Sequence, residues 1–134
     1  MTAIRNLFRL LLVFWAGSLW SLGAWVAPTL FHAQSDRHLA GVLTGRLFAI
    51  ETYVGVGVGV LALLLPGRKR FVWGYLAVAL LAINNWALRP AMVAAHARGE
   101  AVGLTFGAWH GASAALYALA CLALALLIWN EDFR

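Results

Sequence analysis

The chain has 134 residues, of which 63% are hydrophobic and 11% charged, and it carries a formal net charge of +5. A soluble domain is about 45–50% apolar and about 25% charged, and a chain this short cannot hide so large an apolar excess from water. The excess faces lipid. The basic residues are scattered between apolar runs and form no stripe or Arg-rich helix face, so they read as membrane flanks and argue against a nucleic-acid partner.

The first apolar segment runs from about Leu7 to Pro28. Arg5 and Arg9 precede it as they would a signal peptide. The stretch is longer than a signal core, however, and a proline directly follows Ala24-Trp25-Val26-Ala27, so it reads as a retained helix. Gly17 and Ser21, four apart, put small side chains on one face for close packing. The connection from Thr29 to Gly45 is too short and too polar to span. Leu30, Phe31, His38, Leu39, Val42 and Leu43 give it either an amphipathic face lying at the membrane surface or simply an ordinary loop.

The second segment runs from about Arg46 to Leu65 and is closed by Pro66-Gly67. Its Val54-to-Val60 stretch alternates valine and glycine like a strand. A lone strand in a bilayer would leave its amides unpaired, whereas Gly55 and Gly59 sit well on one helix face. Helix is the expectation. The third segment runs from about Phe71 to Arg89-Pro90, and the fourth from about Thr105 to Trp129. In the last, Gly103, Gly107, Gly111 and Ala115 recur every four residues, which predicts a central, closely packed helix. Each segment holds about 20 residues, enough to cross roughly 30 Å of hydrocarbon at 1.5 Å per residue.

These segments predict an all-α polytopic membrane protein: one domain over residues 1–134, a four-transmembrane-helix bundle with a short outer interfacial segment between helices 1 and 2. With the N-terminus inside, Arg5, Arg9, Arg68, Lys69, Arg70 and Arg134 lie on the inner flanks. Arg37, Arg46, Arg89 and Arg98 then lie on the outer ones. Positive charge favours the cytoplasmic side, so both termini are expected in the cytoplasm of a bacterial inner membrane. Trp73 and Trp129 at the inner boundary and Trp25 at the outer one agree.

Polar residues inside spans are costly and find partners or water. Glu51 lies five residues after Arg46, Asn85 five before Pro90, and His110 five after Thr105. All three therefore fall about 8 Å below the outer boundary. Together with Asn84, Arg89, Ser113 and Arg46 they outline either a polar ligand or ion site opening outward, or a buried cluster that locks the helices in register. In the second case Glu51 is neutralised by Arg46 or Arg89.

His32, His38, His96 and His110 all fall on the outer side with Met92 nearby. Imidazole and thioether bind copper, and imidazole holds haem iron, so His32 and His110 are the metal or haem candidates. No spacing matches a ligand motif, and the sequence requires no cofactor. The single cysteine, Cys121, excludes a disulfide framework. No phosphate loop, dinucleotide fingerprint or nucleophile–base spacing appears, which disfavours an enzyme. Three classes stay open: a transport or ligand-binding module, a metal- or haem-binding membrane protein, and an accessory subunit. Self-association or a membrane-complex partner is compatible with each.

Several short motifs resemble a known family. Trp15-Ala16-Gly17, Ala27-Pro28-Thr29-Leu30-Phe31, Ala40-Gly41 and Gly45-Arg46-Leu47-Phe48 look like its first half. Phe106-Gly107-Ala108-Trp109-His110-Gly111-Ala112-Ser113 looks like its fourth-helix signature. The family is the transmembrane protein 205-like group, catalogued in bacteria as domain of unknown function 4149. The resemblance covers about Leu11 to Trp129 and implies a four-helix membrane protein with no settled activity. A eukaryotic relative associated with resistance to platinum drugs hints at export or trafficking. The positions carried over are Gly17, Pro28, Phe31, Gly41, Arg46, Phe48, His110, Gly111 and Ser113. Asn84, Asn85 and the Val-Gly alternation have no counterpart in the resemblance.

Overall fold

A computed structural model describes residues 2–65 and 71–130. The Arg68-Lys69-Arg70 cluster, the Pro66-Gly67 stop and Arg134 lie outside the described residues. The described chain is helical apart from one short β-hairpin, and four helices are long and apolar enough to cross a membrane: Ala3–Ala33, Arg37–Leu64, Val72–Arg98 and Phe106–Asn130. Many large side chains on them are exposed, including Leu64 at 76%, Trp25 at 70% and Trp129 at 87%. Water tolerates no such continuous apolar surface. The protein is a multi-pass membrane protein.

The chain divides into two compact units, Met1–Pro66 and Gly67–Arg134. In the first, α1 (Thr2–Ser21) passes through a π-helical turn at Leu22–Val26 into α2 (Ala27–Ala33). After a short turn, α3 (Arg37–Leu64) runs back along them. The second unit repeats the plan. There α4 (Val72–Ile83) passes through a π-helical turn at Asn84–Leu88 into α5 (Arg89–Arg98). Strands β1 (Glu100–Ala101) and β2 (Leu104–Thr105) follow, and α6 (Phe106–Asn130) returns against α4 and α5.

The helix ends expected at the two prolines are corrected. The first helix does not end at Pro28, nor the third at Pro90. Backbone torsions stay helical through both junctions, with Val26 at φ −68, ψ −50 and Leu88 at φ −74, ψ −40. A proline within a helix removes one N–H and crowds the carbonyl four residues back. Here a widened turn precedes each proline, with Ala27 N–H donating to Leu22 O and Arg89 N–H to Asn84 O, so the crowding is relieved and the helix continues.

The interfacial segment expected between helices 1 and 2 is corrected for the same reason. Thr29–Ala33 continues the first helix, and Arg37–Gly45 already belongs to α3. Asp36 makes the short turn possible: its carboxylate accepts from His38 N–H at 2.9 Å and Leu39 N–H at 3.1 Å, capping α3.

The two units bury matching faces. A constant shift in numbering carries buried Leu12, Trp15 and Leu19 onto buried Gly74, Ala77 and Leu81, and Pro28 onto Pro90. A second constant shift carries Gly55, Val58, Gly59 and Ala62 onto Ala120, Ala123, Leu124 and Leu127, again all buried. In the first unit the Trp15 indole, fully buried, lies directly over the Cα of Gly55. A side chain at position 55 would occupy the space of the ring. In the second unit Phe71 covers Gly74 in the same manner.

The glycine stripe of the fourth helix is corrected too. Gly103 belongs to the β-hairpin turn at φ +73, not to a helix. Gly107 and Gly111 are exposed, with nothing within 4 Å of a Cβ built at Gly111, and α6 packs instead through Ala120, Ala123, Leu124 and Leu127. A Cβ at Gly17 likewise meets nothing within 4 Å.

Candidate functional site

The polar residues of the spans fall into distinct clusters. In the first unit Glu51 is half-buried on α3 beside Ser18 of α1. Ser18 Oγ lies 3.1 Å from Glu51 Oε2 and 2.9 Å from the carbonyl of Trp15, two acceptors that share its single O–H. Trp15 Nε1 donates to the Glu51 carbonyl at 3.3 Å. Arg46 is exposed and makes no hydrogen bond or ion pair among the described residues, so the expected pairing of Glu51 with Arg46 gives way to a neutral partner, Ser18. Arg46 sits about a turn and a half earlier on α3 and is exposed.

In the second unit Asn84, the first residue of the widened turn, meets Ser113 of α6. Ser113 Oγ donates to Asn84 Oδ1 at 2.6 Å, and Asn84 Nδ2 donates to the Ser113 carbonyl at 3.1 Å. This reciprocal pair uses both ends of the amide, as a polar side chain removed from water requires. One residue on, Asn85 turns to the other side of the helix and accepts from Arg89 Nη1 at 3.4 Å.

Asn85 and Arg89 border a shallow, open surface cleft of about 500 Å³ whose lining residues all stand on the widened turn and α5. Arg98 lines it as well, and Pro90, Val93, Ala94 and Ala97 form its apolar floor. Arg89 has no other partner among the described residues, and Arg98 has none. Neither α4, α5 nor α6 carries an acidic residue. The cleft is therefore cationic at its rim, apolar along its floor and without an internal counter-charge.

His110 belongs to neither cluster. Its ring stacks on Phe106 at 5.8 Å, and Phe106 meets His96 edge-on at 5.4 Å. His32 lies exposed at the end of α2 in the other unit. No group of three His, Cys, Asp or Glu that could hold a metal ion occurs among the described residues.

Sequence reasoning missed three participants. Ser18 is a partner of Glu51 across 33 residues of sequence, which no local spacing reveals. Arg98 reads as a flank until α5 is seen to continue past Pro90. Trp109 stands in the fourth-helix motif, but only the hairpin gives it an acceptor, the Ala101 carbonyl at 2.9 Å.

The two widened turns help separate scaffold from site. The shift that aligns Pro28 with Pro90 sets Leu22, Gly23 and Ala27 of the first unit against Asn84, Asn85 and Arg89 of the second. The break recurs in both units; the polar groups decorate one.

The family model described as Domain of unknown function (DUF4149) matches residues 10–101. The chain belongs to this family. The DUF4149 match takes in both widened turns, Glu51, the Asn84–Asn85 pair and both arginines of the cleft, and it ends before the Phe106–Ser113 motif. No curated protein and no solved structure matched this DUF4149 chain.

Proposed function

We propose that this protein is a small membrane-embedded module that binds or passes a ligand at the polar break of its third span. The observation that carries this reading is the contrast between the two breaks: apolar in the first unit, lined by Asn84, Asn85 and Arg89 in the second. π-Helical turns recur at functional sites, and ionisable groups within a span are expensive to keep without a use. Asn84 is held by Ser113, so Asn85 and Arg89 are the groups with hydrogen-bonding capacity left for a ligand.

Proteoliposomes test this with defined probes: chloride, inorganic phosphate and glycerol, read by flux and by melting shift of the purified protein. Wild-type is expected to respond to at least one probe, and Asn85→Leu or Arg89→Gln to lose most of that response at equal folded yield. Identical behaviour of all three proteins towards every probe sinks the reading.

The proposed setting is a bacterial inner membrane with both ends of the chain in the cytoplasm, supported by the clustering of Arg5, Arg9, Arg68, Lys69 and Arg70 on one side. Alkaline phosphatase is active only after export. Fused after Asn130 it is expected to be silent, and inserted at Ser35 active. The reverse pattern inverts the topology.

A further inference from the structure

We propose that Glu51 of the first unit is a membrane-embedded proton-binding site, its carboxyl neutral and its O–H directed at Ser18 Oγ. The site is independent of the reading of the third span. Three observations carry it. The first is a count of hydrogens. Ser18 Oγ stands 2.9 Å from the Trp15 carbonyl and 3.1 Å from Glu51 Oε2, and a hydroxyl owns one hydrogen. The shorter contact is the back-bond that a helical serine makes to its own preceding turn. With that hydrogen committed, Ser18 Oγ is left as an acceptor, and the second contact closes only if Glu51 brings the hydrogen. A hydroxyl donating to an ionised carboxylate draws in to about 2.5–2.7 Å. The 3.1 Å contact shows no such pull. Trp15, fully buried, donates its indole N–H to the Glu51 backbone carbonyl at 3.3 Å and holds α1 and α3 in register at this level.

The second observation is depth. Glu51 lies near the middle of α3, Arg37–Leu64. About 30 Å of hydrocarbon takes about 20 of these residues. If they are 37–56, Glu51 lies five residues from the nearer edge; if they are 45–64, it lies six. A carboxylate at that depth needs a counter-charge. The third is that no counter-charge meets it: Glu51 makes no ion pair among the described residues. α3 packs on α1, α2 and the first widened turn. Arg5 and Arg9 precede Ser18 on α1 by nine residues or more, about 14 Å of helix, and His32 follows it by about 21 Å. On α3 itself Arg37 and His38 stand about 20 Å away along the axis. Arg46 is exposed and unpaired, and Tyr53 is uncharged and turned about 160° from Glu51.

Two measurements on the full-length protein in lipid nanodiscs test the site. An ordinary glutamate titrates at about 4.3, so about one in 500 is protonated at about pH 7. Infrared spectra of the wild type at neutral pH are expected to show the carbonyl stretch of a neutral carboxylic acid. Glu51→Gln is expected to remove that band, Glu100→Gln to leave it unchanged, and Ser18→Ala to keep it at a shifted frequency. The second probe is dicyclohexylcarbodiimide, a lipid-soluble reagent that takes protonated carboxyls. The carboxyl proton passes to one carbodiimide nitrogen, the carboxyl oxygen bonds to the central carbon, and acyl migration to nitrogen leaves a stable N-acylurea. Peptide mapping is expected to place the adduct on Glu51 and to find the exposed Asp36 and Glu100 unmodified. This arm needs no variant, so it decides even where Glu51→Gln folds poorly.

A wild type without the neutral-acid band, or a band that survives in Glu51→Gln, overturns the proposal. So does an adduct absent from Glu51 or equally present on the exposed acids. Protection of Glu51 by sodium or calcium ions overturns it in favour of a cation site. An unmoved band in Ser18→Ala overturns the assignment of Ser18 as the acceptor.

Discussion

Gly55 and Gly111 are both glycines within apolar helices, but their surroundings differ. The Trp15 ring occupies the place a methyl at 55 would take, and Trp15 is fully buried, so it cannot swing aside. Gly55→Ala is expected to destabilise the protein by about 1–3 kcal/mol, the usual range for overpacking. Gly111→Ala meets open space and is expected to change stability by less than about 0.5 kcal/mol. Denaturation in mixed micelles separates the two. Equal effects would mean that the close approach of Trp15 is not a packing constraint.

The Asn84–Ser113 pair is the other residue-scale test. Asn84→Leu and Ser113→Ala, measured singly and together, are expected to show a coupling of about 0.6 kcal/mol, with about 1.7 kcal/mol as the upper range for such bonds in membranes. Additive losses would show that the two side chains do not stabilise each other.

At the scale of elements, the β-hairpin carries a local conflict. Val102 and Gly103 both have positive φ, 53° and 73°, the pattern of a type I′ turn. Glycine adopts it freely, whereas a β-branched residue is strained there. Val102 is 90% exposed and contributes no packing in compensation. Val102→Asn is expected to stabilise the protein by about 0.5–1 kcal/mol, read as a rise in Tm. A fall in Tm would mean that the valine is held by something other than the turn.

The hairpin also marks where sequence reading stops. Spacing by four continues from Gly103 to Gly107 straight across an element boundary, so periodicity alone cannot tell a turn glycine from a helix glycine. The widened turns are hidden for a similar reason. One extra residue in a turn shifts the register downstream, and Pro28 and Pro90 then look like stops. The Asp36 cap was missed as well: aspartate before a helix is favoured, but apolarity placed the start of the second helix at Arg46, well after it. Asn84, Asn85, Arg89 and Ser113 were each visible as polar residues in apolar runs. That Asn84 faces α6 while Asn85 faces the cleft depends on the helix rotation the wide turn introduces.

At the scale of the whole molecule, the four spans were the most legible feature, because length and apolarity are set by the bilayer rather than by partners. Their true lengths were not. The second, Arg37–Leu64, holds 28 residues, about 42 Å of helix against about 30 Å of hydrocarbon. The spans therefore tilt within the bilayer or overhang its surface. With so many large apolar side chains exposed, the protein is expected to precipitate on detergent removal and return to solution in nanodiscs. A monodisperse monomer in plain buffer would refute the membrane assignment.

Each wide turn is, in effect, one surplus residue spliced into a regular helix. Excising Ala87 would let α4 and α5 join through ordinary bonds, so the backbone itself loses little. Everything beyond the splice, however, would be turned by about 100°. Leu81 and the α6 contacts before it keep their seats, while Arg89, Val93 and Arg98 swing off their present side. Such a deletion is expected to leave helical content unchanged and abolish the probe responses that depend on Arg89. The added residue thus acts as a rotational setting: it fixes which way the arginines look without altering how the two helices hold together.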